Sequence, residues 1–349
     1  MASPMARHWT PGGPAKAIRV HDRGSPGAHR DRCREAWIRH GATLVPQIED
    51  VVGGDRELDG VFVCCGKNGD DLPLIAKLAK LLRRDGANPF ICHMSTVSAD
   101  FTEAATGFCA RQGVDYVNYP LTGGPIGAEK ATMLILASGS AEVYERLHPA
   151  LSKLGTPKYF GKSPSAATEV KLMGQAMVFN GLIGICSAAA LHSECFQDGQ
   201  LGGIEQSEFF DFLNAGAGGT RQWDVILSAG IRNDIWDAPF LSSYGAIDAI
   251  YTAKCGLDRG LSALAIRPLI DIALAFSYVL NQIGPSLATH AIVREMVKQR
   301  ARELDQFIGA HSGPANDLQV CIEMCVKSLP IDLQAKVAIG VREEDFDRV

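Results

Sequence analysis

The fold of this chain is decided by residues 118–132, which read NYPLTGGPIGAEKAT. A predicted strand ends at Asn118, and a hydroxyl residue, two glycines and a proline at the first position of a short helix follow it. Paired glycines allow the backbone to approach a ligand closely, and the N–H groups at a helix start favour an anion. The segment therefore predicts a carboxylate-binding turn, and the alternative is a plain tight turn before a helix.

The segments on both sides of this turn indicate a parallel α/β sheet. From residue 15 to about residue 161, short apolar runs rich in Val, Ile, Leu and Phe alternate with amphipathic segments of helical period. The predicted strands are 17–21, 60–64, 90–94, 115–119 and 133–137, and the predicted helices are 29–40, 72–84, 98–111 and 141–154. We expect residues 1–162 to form one domain around a doubly wound parallel sheet.

Beyond residue 161 the sequence consists of segments of helical period in which Ala, Leu and Ile dominate. Residues 163–349 are therefore predicted to form an all-α domain. One long helix is expected over residues 163–193, and the other predicted helices are 206–213, 242–254, 257–266, 269–282, 291–308 and 317–328. The acidic end of the chain, residues 341–349, is expected to fray at the surface.

Length, charge and cysteine content narrow the function classes. A chain of 349 residues exceeds the size at which single cores stop growing, about 250–300 residues, so two domains are expected. The 34 Lys+Arg and 39 Asp+Glu residues give a net charge of −5 without a basic cluster, which argues against a nucleic-acid partner. The cysteines lack metal-ligand spacing, so we predict reduced thiols and no metal site.

Targeting and membrane signals are weak. Residues 1–17 contain no apolar run like that of a secretory signal, so a cytoplasmic location is expected. The longest apolar stretch, residues 176–191, is shorter than the roughly 18 residues that cross a bilayer, so we predict a buried helix and no membrane partner. The apolar segment 266–280 is predicted to be exposed and to bury its surface in a homodimer.

Lys171 lies in an otherwise apolar helical segment, where burying a lysine is costly. Desolvation lowers the pKa of a lysine toward the range in which the side chain acts as general acid or base at neutral pH. Gln175 lies four residues on, hence on the same helical face. The segment predicts a functional lysine, and the alternative is a lysine that extends to solvent from the first turns of the helix.

Asp22 and Arg23 directly follow the first predicted strand. In dinucleotide-binding folds, an acid at this place accepts hydrogen bonds from the adenosine ribose hydroxyls and disfavours the extra phosphate of NADP. The pair is therefore a candidate cofactor contact. The alternative is an ordinary solvated pair at the start of a loop.

Four segments in this order resemble those of the β-hydroxyacid dehydrogenase family, which includes 3-hydroxyisobutyrate dehydrogenase and 6-phosphogluconate dehydrogenase. Residues 118–132 resemble the family's substrate-binding signature, D-x-P-V-S-G-G-x-x-x-A-x-x-G, and residues 93–96 (HMST) resemble its D-M-S-T strand end. Residues 171–175 (KLMGQ) resemble its K-x-x-N-N helix motif, and residues 213–218 (LNAGAG) resemble a recurring segment of its helical domain. The resemblance covers residues 1 to about 300.

The resemblance implies a Rossmann-like N-terminal domain, a long connecting helix and an all-α domain. It also implies NAD-dependent hydride transfer with a 3-hydroxy acid or its semialdehyde or keto form. Lys171 is implied as the general acid/base, and Thr122, Gly123, Gly124 and Gln175 as substrate-binding residues. The implied cofactor-binding residues are Asp22, Arg23, Cys65, Gly66, Thr96 and, by a looser match, Lys254. The acid at position 22 favours NAD over NADP.

The sequence departs from the family pattern at its start and within the site. Residues 1–8, MASPMARH, resemble the stretch after the second glycine of the family's phosphate-binding loop. The first strand and most of that loop are therefore expected to be missing, so either the chain start is not the natural one or cofactor affinity is reduced. The family's usual Asp, Ser, Gly and Asn are replaced by Asn118, Thr122, Ala131 and Gln175.

These departures leave two alternatives to a 3-hydroxy-acid dehydrogenase. One is a tailoring reductase that acts on a non-carboxylate carbonyl or an imine, which the altered residues at 122 and 175 favour. The other is a non-catalytic scaffold of the same fold, which the missing loop favours. The lysine at position 171 argues against the scaffold, because a binding protein has no need of a buried lysine.

Overall fold

The computed structural model describes residues 2–11, 17–22, 28–53, 58–83, 88–195, 206–223, 230, 233–237 and 240–349. The chain divides into two compact units: the first comprises Met1–Lys171 and Ala338–Val349, and the second comprises Leu172–Val337. The first unit has parallel sheets with flanking helices and the second is helical, which confirms the predicted Rossmann-like half and all-α half. The expected boundary between residues 162 and 163 stays a prediction.

The first unit alternates strands and helices. Its strands are β1 (Arg19–Val20), β2 (Thr43–Leu44), β3 (Gly60–Val63), β4 (Phe90–His93), β5 (Asp115–Asn118), β6 (Leu121–Thr122), β7 (Met133–Ala137) and β8 (Gly155–Tyr159). Its helices up to the junction are α1 (Ala2–Met5), α2 (Ala28–Arg39), α3 (Ile48–Val52), α4 (Asn68–Leu82), α5 (Ala99–Arg111), α6 (Gly124–Lys130), α7 (Ala141–Leu151) and the start of α8 (Ala166–Cys195).

One three-stranded sheet carries the predicted cofactor residues Cys65, Gly66 and Thr96 in the segments that follow its strands. Its strands are parallel in the order β3–β4–β5, and their last residues, Val63, His93 and Asn118, are register partners. The segments that leave these strands therefore lie side by side at one edge of the sheet. β1 pairs in parallel with β2, and β7 lies between antiparallel β6 and parallel β8. Within the described ranges, no strand pairing joins β1 to β3.

The core of the first unit follows from the spacing of its apolar residues. α4 buries Leu72, Ile75, Ala79 and Leu82, which recur at helical spacing on one face. These side chains pack in one cluster with apolar residues of α5, with the two valines of β3 and with Ile91 of β4. Every residue of β4 is buried, as expected for a central strand whose sheet is covered on both faces.

The end of the chain is ordered, so the expected frayed tail is wrong. Residues Glu343–Asp347 form the last helix of the chain, and Phe346 is fully buried. Its ring centroid lies 5.3 Å from that of Phe108 and 5.5 Å from that of Phe101, both on α5. Arg111 of α5 also pairs with Asp347 at 2.9 Å. A single aromatic residue within a charged segment therefore anchors the tail to the first unit.

The second unit consists of helices. They are the remainder of α8, α9 (Gln206–Ala215), α10 (Ser242–Asp258), α11 (Ala263–Gln282), a 3₁₀ turn (Thr289–Ile292), α12 (Val293–Met296), α13 (Lys298–His311), α14 (Leu318–Ser328) and α15 (Ile331–Val337). The last helix of the chain, Glu343–Asp347, is numbered α16 and belongs to the first unit. The chain passes from the first unit to the second within α8, between Lys171 and Leu172.

The predicted limits of two helices in this unit are wrong. The segment 257–266 contains the end of α10 and the start of α11, because Gly260 adopts a φ of 71° that a helix cannot continue through. The segment 291–308 is broken at Val297, whose backbone is extended between α12 and α13. Hydrophobic periodicity continues across both breaks, so periodicity alone merges the helices.

The apolar segment 266–280 is buried inside the helical unit, so its predicted exposure is wrong. Ile266, Leu274 and Phe276 are fully buried within α11. Exposed apolar side chains of this unit include two on α8, where Met173 is 61% exposed and Met177 is 79% exposed. The opposite face of α8 is buried, so the prediction of a buried helix at 176–191 holds for one face only.

Two helices, Ala166–Cys195 and Ala263–Gln282, are long and apolar enough to cross a membrane by length and composition. The most apolar window is 39% buried within the protein for the first helix and 67% buried for the second. Because core helices pass the same test, these two helices are weak evidence for a membrane span.

Candidate active site

The segments that follow β3 and β4 are bonded to each other. The backbone N–H of Cys65 donates to the Ser95 hydroxyl oxygen at 3.3 Å, and Lys67 Nζ donates to the Thr96 carbonyl at 3.3 Å. The predicted cofactor residues Cys65, Gly66 and Thr96 therefore lie at the same edge of the sheet. Cys65 is exposed and Thr96 is half-buried, so both face space that a ligand can enter.

A buried acid, Asp71 in the first turn of α4, holds the loop after β3. Its Oδ2 lies 2.9 Å from His93 Nε2 and accepts from the Gly66 backbone N–H at 3.1 Å, and its Oδ1 accepts from the Cys65 thiol at 3.4 Å. Asp71 and His93 are both fully buried. The carboxylate therefore joins the end of β4 to the loop that carries two of the predicted cofactor residues.

The far side of the His93 ring contacts Tyr116 of β5, with Nδ1 2.8 Å from the phenol oxygen. Burial raises the pKa of Tyr116 well above its ordinary value, so the phenol keeps its proton. With a neutral imidazole, Tyr116 donates to Nδ1 while Nε2–H donates to Asp71. Sequence reasoning missed this network because an acid in the first turn of a helix is common and carries no functional signal.

The Asn118 side chain joins the ends of β4 and β5 to helix α8. Its Nδ2 donates to the carbonyl oxygens of His93 at 2.8 Å and Ser95 at 3.1 Å, and its Oδ1 accepts from the Thr168 hydroxyl at 2.8 Å. The Asn118 amide supplies both donors and the acceptor for these bonds, whereas an ionised Asp carboxylate at this position could not donate to the two carbonyls. The HMST segment, the start of the substrate signature and the lysine helix are thereby brought together.

The glycine pair of the signature adopts a backbone conformation that glycine favours, and the ligand-binding role of the turn stays a prediction. Gly123 adopts a φ of 128° and Gly124 a φ of 64°, and Pro125 lies at the start of α6. Both values lie in the left-handed region, which favours glycine. A Cβ added to Gly124 would meet no other atom within 4 Å, so space is open beside its backbone. Thr122, directly before the pair, is half-buried.

Lys171 and Gln175 are both buried on α8, with 9% and 5% of their surfaces exposed. Gln175 Nε2 donates to Asp248 Oδ2 of α10 at 2.6 Å, and Asp248 is itself buried. Sequence reasoning missed Asp248, although a single acid within the apolar residues 245–253 is the same kind of signal that identified Lys171. Within the second unit, this carboxylate fixes the direction of the Gln175 amide.

The predicted adenosine contact, Asp22, is already paired with two arginines of α2. Its Oδ1 lies 2.7 Å from Arg30 NH1, and its Oδ2 lies 3.2 Å from Arg34 Nε. Arg23, its predicted neighbour in the site, lies outside the described residues. A ribose hydroxyl that bonds to Asp22 would therefore do so beside two guanidinium groups.

Lys254, the weakest of the predicted cofactor contacts, lies on α10 and pairs with Asp258 one turn later. The pair has the i,i+4 spacing of an ordinary helix-surface ion pair. Its side chain is 18% exposed. A role of Lys254 toward a cofactor stays a prediction.

Comparison with known proteins identifies the N-terminal half of the chain. Residues 1–169 match the family model described as the NAD binding domain of 6-phosphogluconate dehydrogenase. A curated relative, 2-(hydroxymethyl)glutarate dehydrogenase of Eubacterium barkeri, is 31% identical over 109 residues, which is 31% of this chain and 36% of the relative. The chain spans 36% to 61% of the length of the curated relatives that it matches.

Solved structures of the same fold cover most of the chain. The 3-hydroxyisobutyrate dehydrogenase of Salmonella typhimurium aligns with a TM-score of 0.68 at 16% identity, covering 84% of this chain and 94% of that one. The Mycobacterium tuberculosis 3-hydroxyisobutyrate dehydrogenase with L-serine aligns with a TM-score of 0.65 at 16% identity and the same coverage. Together with the motif order and the fold, these matches support the assignment of the chain to the β-hydroxyacid dehydrogenase family.

Proposed function

We propose that this protein is an NAD(P)-dependent oxidoreductase that transfers a hydride between a 3-hydroxy acid, or its semialdehyde or keto form, and a nicotinamide cofactor. The observation that carries the proposal is the buried Lys171, one helical turn after a Thr168 that is bonded to the start of the substrate signature. A 3-hydroxy acid is favoured by L-serine, itself a 3-hydroxy acid, in the related Mycobacterium tuberculosis structure.

In this proposal each site residue has one task. Thr122, Gly123 and Gly124 bind the substrate carboxylate through the hydroxyl and the open backbone beside Gly124. Lys171 takes the proton from the hydroxyl oxygen in oxidation and returns it in reduction. Gln175, held by Asp248, orients the reacting oxygen. Oxidation thus removes two hydrogens from one H–C–O–H unit: the hydroxyl hydrogen leaves as a proton to Lys171, and the hydrogen on carbon would leave as the hydride.

The described residues suit a nicotinamide dinucleotide at two places. The loops with Cys65, Gly66 and Thr96 are at the carboxyl edge of a parallel sheet, where such folds bind ligands. Asp22 follows β1, where an acid suits a ribose. When bound, the nicotinamide supplies the hydride acceptor or donor.

The activity is tested by following nicotinamide absorbance with the protein, NAD or NADP and a panel of 3-hydroxy acids that includes 3-hydroxyisobutyrate and L-serine. The proposal expects turnover with at least one acid. Absence of turnover with every acid, although cofactor binds in a calorimetric titration, would contradict the proposed substrate class. Absence of binding by either cofactor would contradict the oxidoreductase and favour the scaffold.

Asp22 is expected to set cofactor preference. Asp22→Asn removes the charge that neutralises Arg30 and Arg34, so both guanidinium groups become available to the 2′-phosphate of NADP. We expect the ratio of NADP affinity to NAD affinity to rise about tenfold, measured by calorimetric titration. Asp31→Asn is the matched control, because the exposed Asp31 pairs with Arg34 at 3.5 Å. An unchanged ratio in Asp22→Asn would remove Asp22 from the adenosine site.

A reductase of a carboxylate-free carbonyl or imine is the second candidate. One observation favours it: the carboxylate of Asp248 is buried beside the Gln175 amide, and a buried negative charge attracts the positive charge of an iminium group. The same absorbance assay with cyclic imines and NADPH distinguishes the candidates. Turnover of imines without turnover of any 3-hydroxy acid would favour this reductase.

We also propose that a second copy of the chain covers the exposed apolar face of α8 and α9 and that the homodimer is cytoplasmic. Met177 is 79% exposed and Phe212 is 80% exposed, and contact with a second copy would remove both apolar side chains from water. The expected mass by light scattering is therefore that of two chains. A mass of one chain at micromolar concentration would contradict the homodimer.

A further inference from the structure

We propose that the hydrogen bond between Thr168 and Asn118 positions Lys171 for proton transfer. The inference rests on the proposed role of Lys171 as general acid/base. Neither Thr168 nor Asn118 touches the substrate in this proposal; both act through the helix that carries the lysine.

The donors and acceptors of this bond have only one consistent assignment. Asn118 Nδ2 donates to two backbone carbonyls, so the amide cannot flip and Oδ1 must face Thr168. The Thr168 hydroxyl has one proton, which it donates to Oδ1 at 2.8 Å. Its oxygen also lies 3.0 Å from the Thr102 hydroxyl of α5, which donates to the Ser98 carbonyl at 3.2 Å. All three side chains are fully buried, so water does not compete for these bonds.

Thr168 is well placed to control Lys171. The two residues are three apart on α8, hence about 4.5 Å apart along the helix axis and neighbours on its surface. Asn118 is the strand-end residue of the substrate signature, and Gly123 and Gly124 follow it by a few residues. The bond therefore fixes the rotation of the lysine turn relative to the segment that is proposed to hold the substrate carboxylate.

Other bonds attach the start of α8 to the fold. The Ala167 N–H donates to the Ser138 hydroxyl oxygen at 2.9 Å, and the Ser165 hydroxyl donates to Glu103 Oε1 at 2.8 Å. Neither bond involves Asn118. Loss of the Thr168 hydroxyl should therefore leave α8 in place while the lysine turn gains freedom to rotate. A displacement of about 1 Å at a reacting group is enough to slow a reaction about 100-fold.

The test begins with Thr168→Val, which removes the hydroxyl and keeps the side-chain shape. We expect kcat to fall about 10-fold to 100-fold, with KM and the dissociation constant of the cofactor within about threefold of the unchanged protein. Thr168→Ser restores the hydroxyl and is expected to restore kcat. If Thr168→Val does not fold, Thr168→Ala removes the same hydroxyl from a better helix former. An unchanged kcat in the folded variant would overturn the proposal.

A matched control and a double variant separate positioning from stability and from the proposed function. Thr106→Val removes a hydroxyl that donates to the Thr102 carbonyl at 2.8 Å, and it should leave kcat unchanged. In a Lys171→Ala background, Thr168→Val should have no further effect, because the group that it positions is gone. A full additional loss in that background would overturn the proposal even if Lys171 is essential. Full turnover of Lys171→Ala would instead overturn the proposed function.

Discussion

Replacing Lys171 with alanine is expected to lower kcat for hydride transfer about 100-fold to 10,000-fold, the usual contribution of a general acid or base. The buried lysine is the proposed partner for the hydroxyl proton, and alanine cannot exchange one. The dissociation constant of the cofactor should change little, because Lys171 lies on α8 rather than in the loops after β3 and β4. Steady-state kinetics and a calorimetric cofactor titration measure the two quantities.

Two controls make the result specific. Lys153→Ala removes an exposed lysine of the same unit and should leave kcat unchanged. Small primary amines added to Lys171→Ala should restore part of the turnover, because they supply the missing proton acceptor in the vacated volume. A Lys171→Ala protein that keeps kcat within threefold of the unchanged protein would remove the lysine from the chemistry.

The second large effect is expected on stability, from Asp71→Ala. Removing this carboxylate leaves both His93 Nε2 and the Gly66 N–H without their acceptor. Each buried donor left without an acceptor lowers the free energy of unfolding by about 1–3 kcal/mol, so the two together should lower it by about 2–6 kcal/mol. Urea unfolding followed by circular dichroism measures the change for the first unit.

Asp347→Ala is the control for this substitution. Asp347 pairs with Arg111 at 2.9 Å, but both side chains are about half exposed, so the pair should contribute at most about 1 kcal/mol. The loss of stability is therefore expected to be larger for Asp71→Ala than for Asp347→Ala, because Asp71 is buried and Asp347 is exposed. Equal losses in the two variants would show that the Asp71 network does not hold the sheet edge together.

The sequence predicts those parts of the fold that depend on local pattern. β3, β4 and β7 are short, mostly apolar runs, and these three strands and β5 are each observed within a residue of their predicted limits. β8 is missed because its residues alternate between half-buried and exposed and include a glycine and a proline. The tail helix is missed because one residue, Phe346, decides its position against α5. Spacing cannot show that a single aromatic side chain finds a distant pocket.

The residues of the candidate site likewise fall into those that a local sequence pattern predicts and those that it does not. Residues within a contiguous motif, such as Lys171 and the pair Gly123 and Gly124, can be predicted from the sequence because the motif itself contains them. The hydrogen-bond partners of site residues cannot be predicted in this way, because Thr168 lies 50 residues from Asn118 and Asp248 lies 73 residues from Gln175. Such pairs depend on the packing of separate elements. The Asp22 pairing with α2 is of the same kind, and it changes how the predicted NAD preference must be tested.

The central claim is a hydride transfer from a hydroxyl-bearing carbon to a nicotinamide. The most direct test uses a 3-hydroxy acid that carries deuterium on that carbon, incubated with the protein and NAD or NADP and followed by mass spectrometry of the cofactor. We expect one deuterium on the reduced nicotinamide with the unchanged protein, and much slower labelling with Lys171→Ala. A cofactor that binds but gains no deuterium from any 3-hydroxy acid would contradict the account.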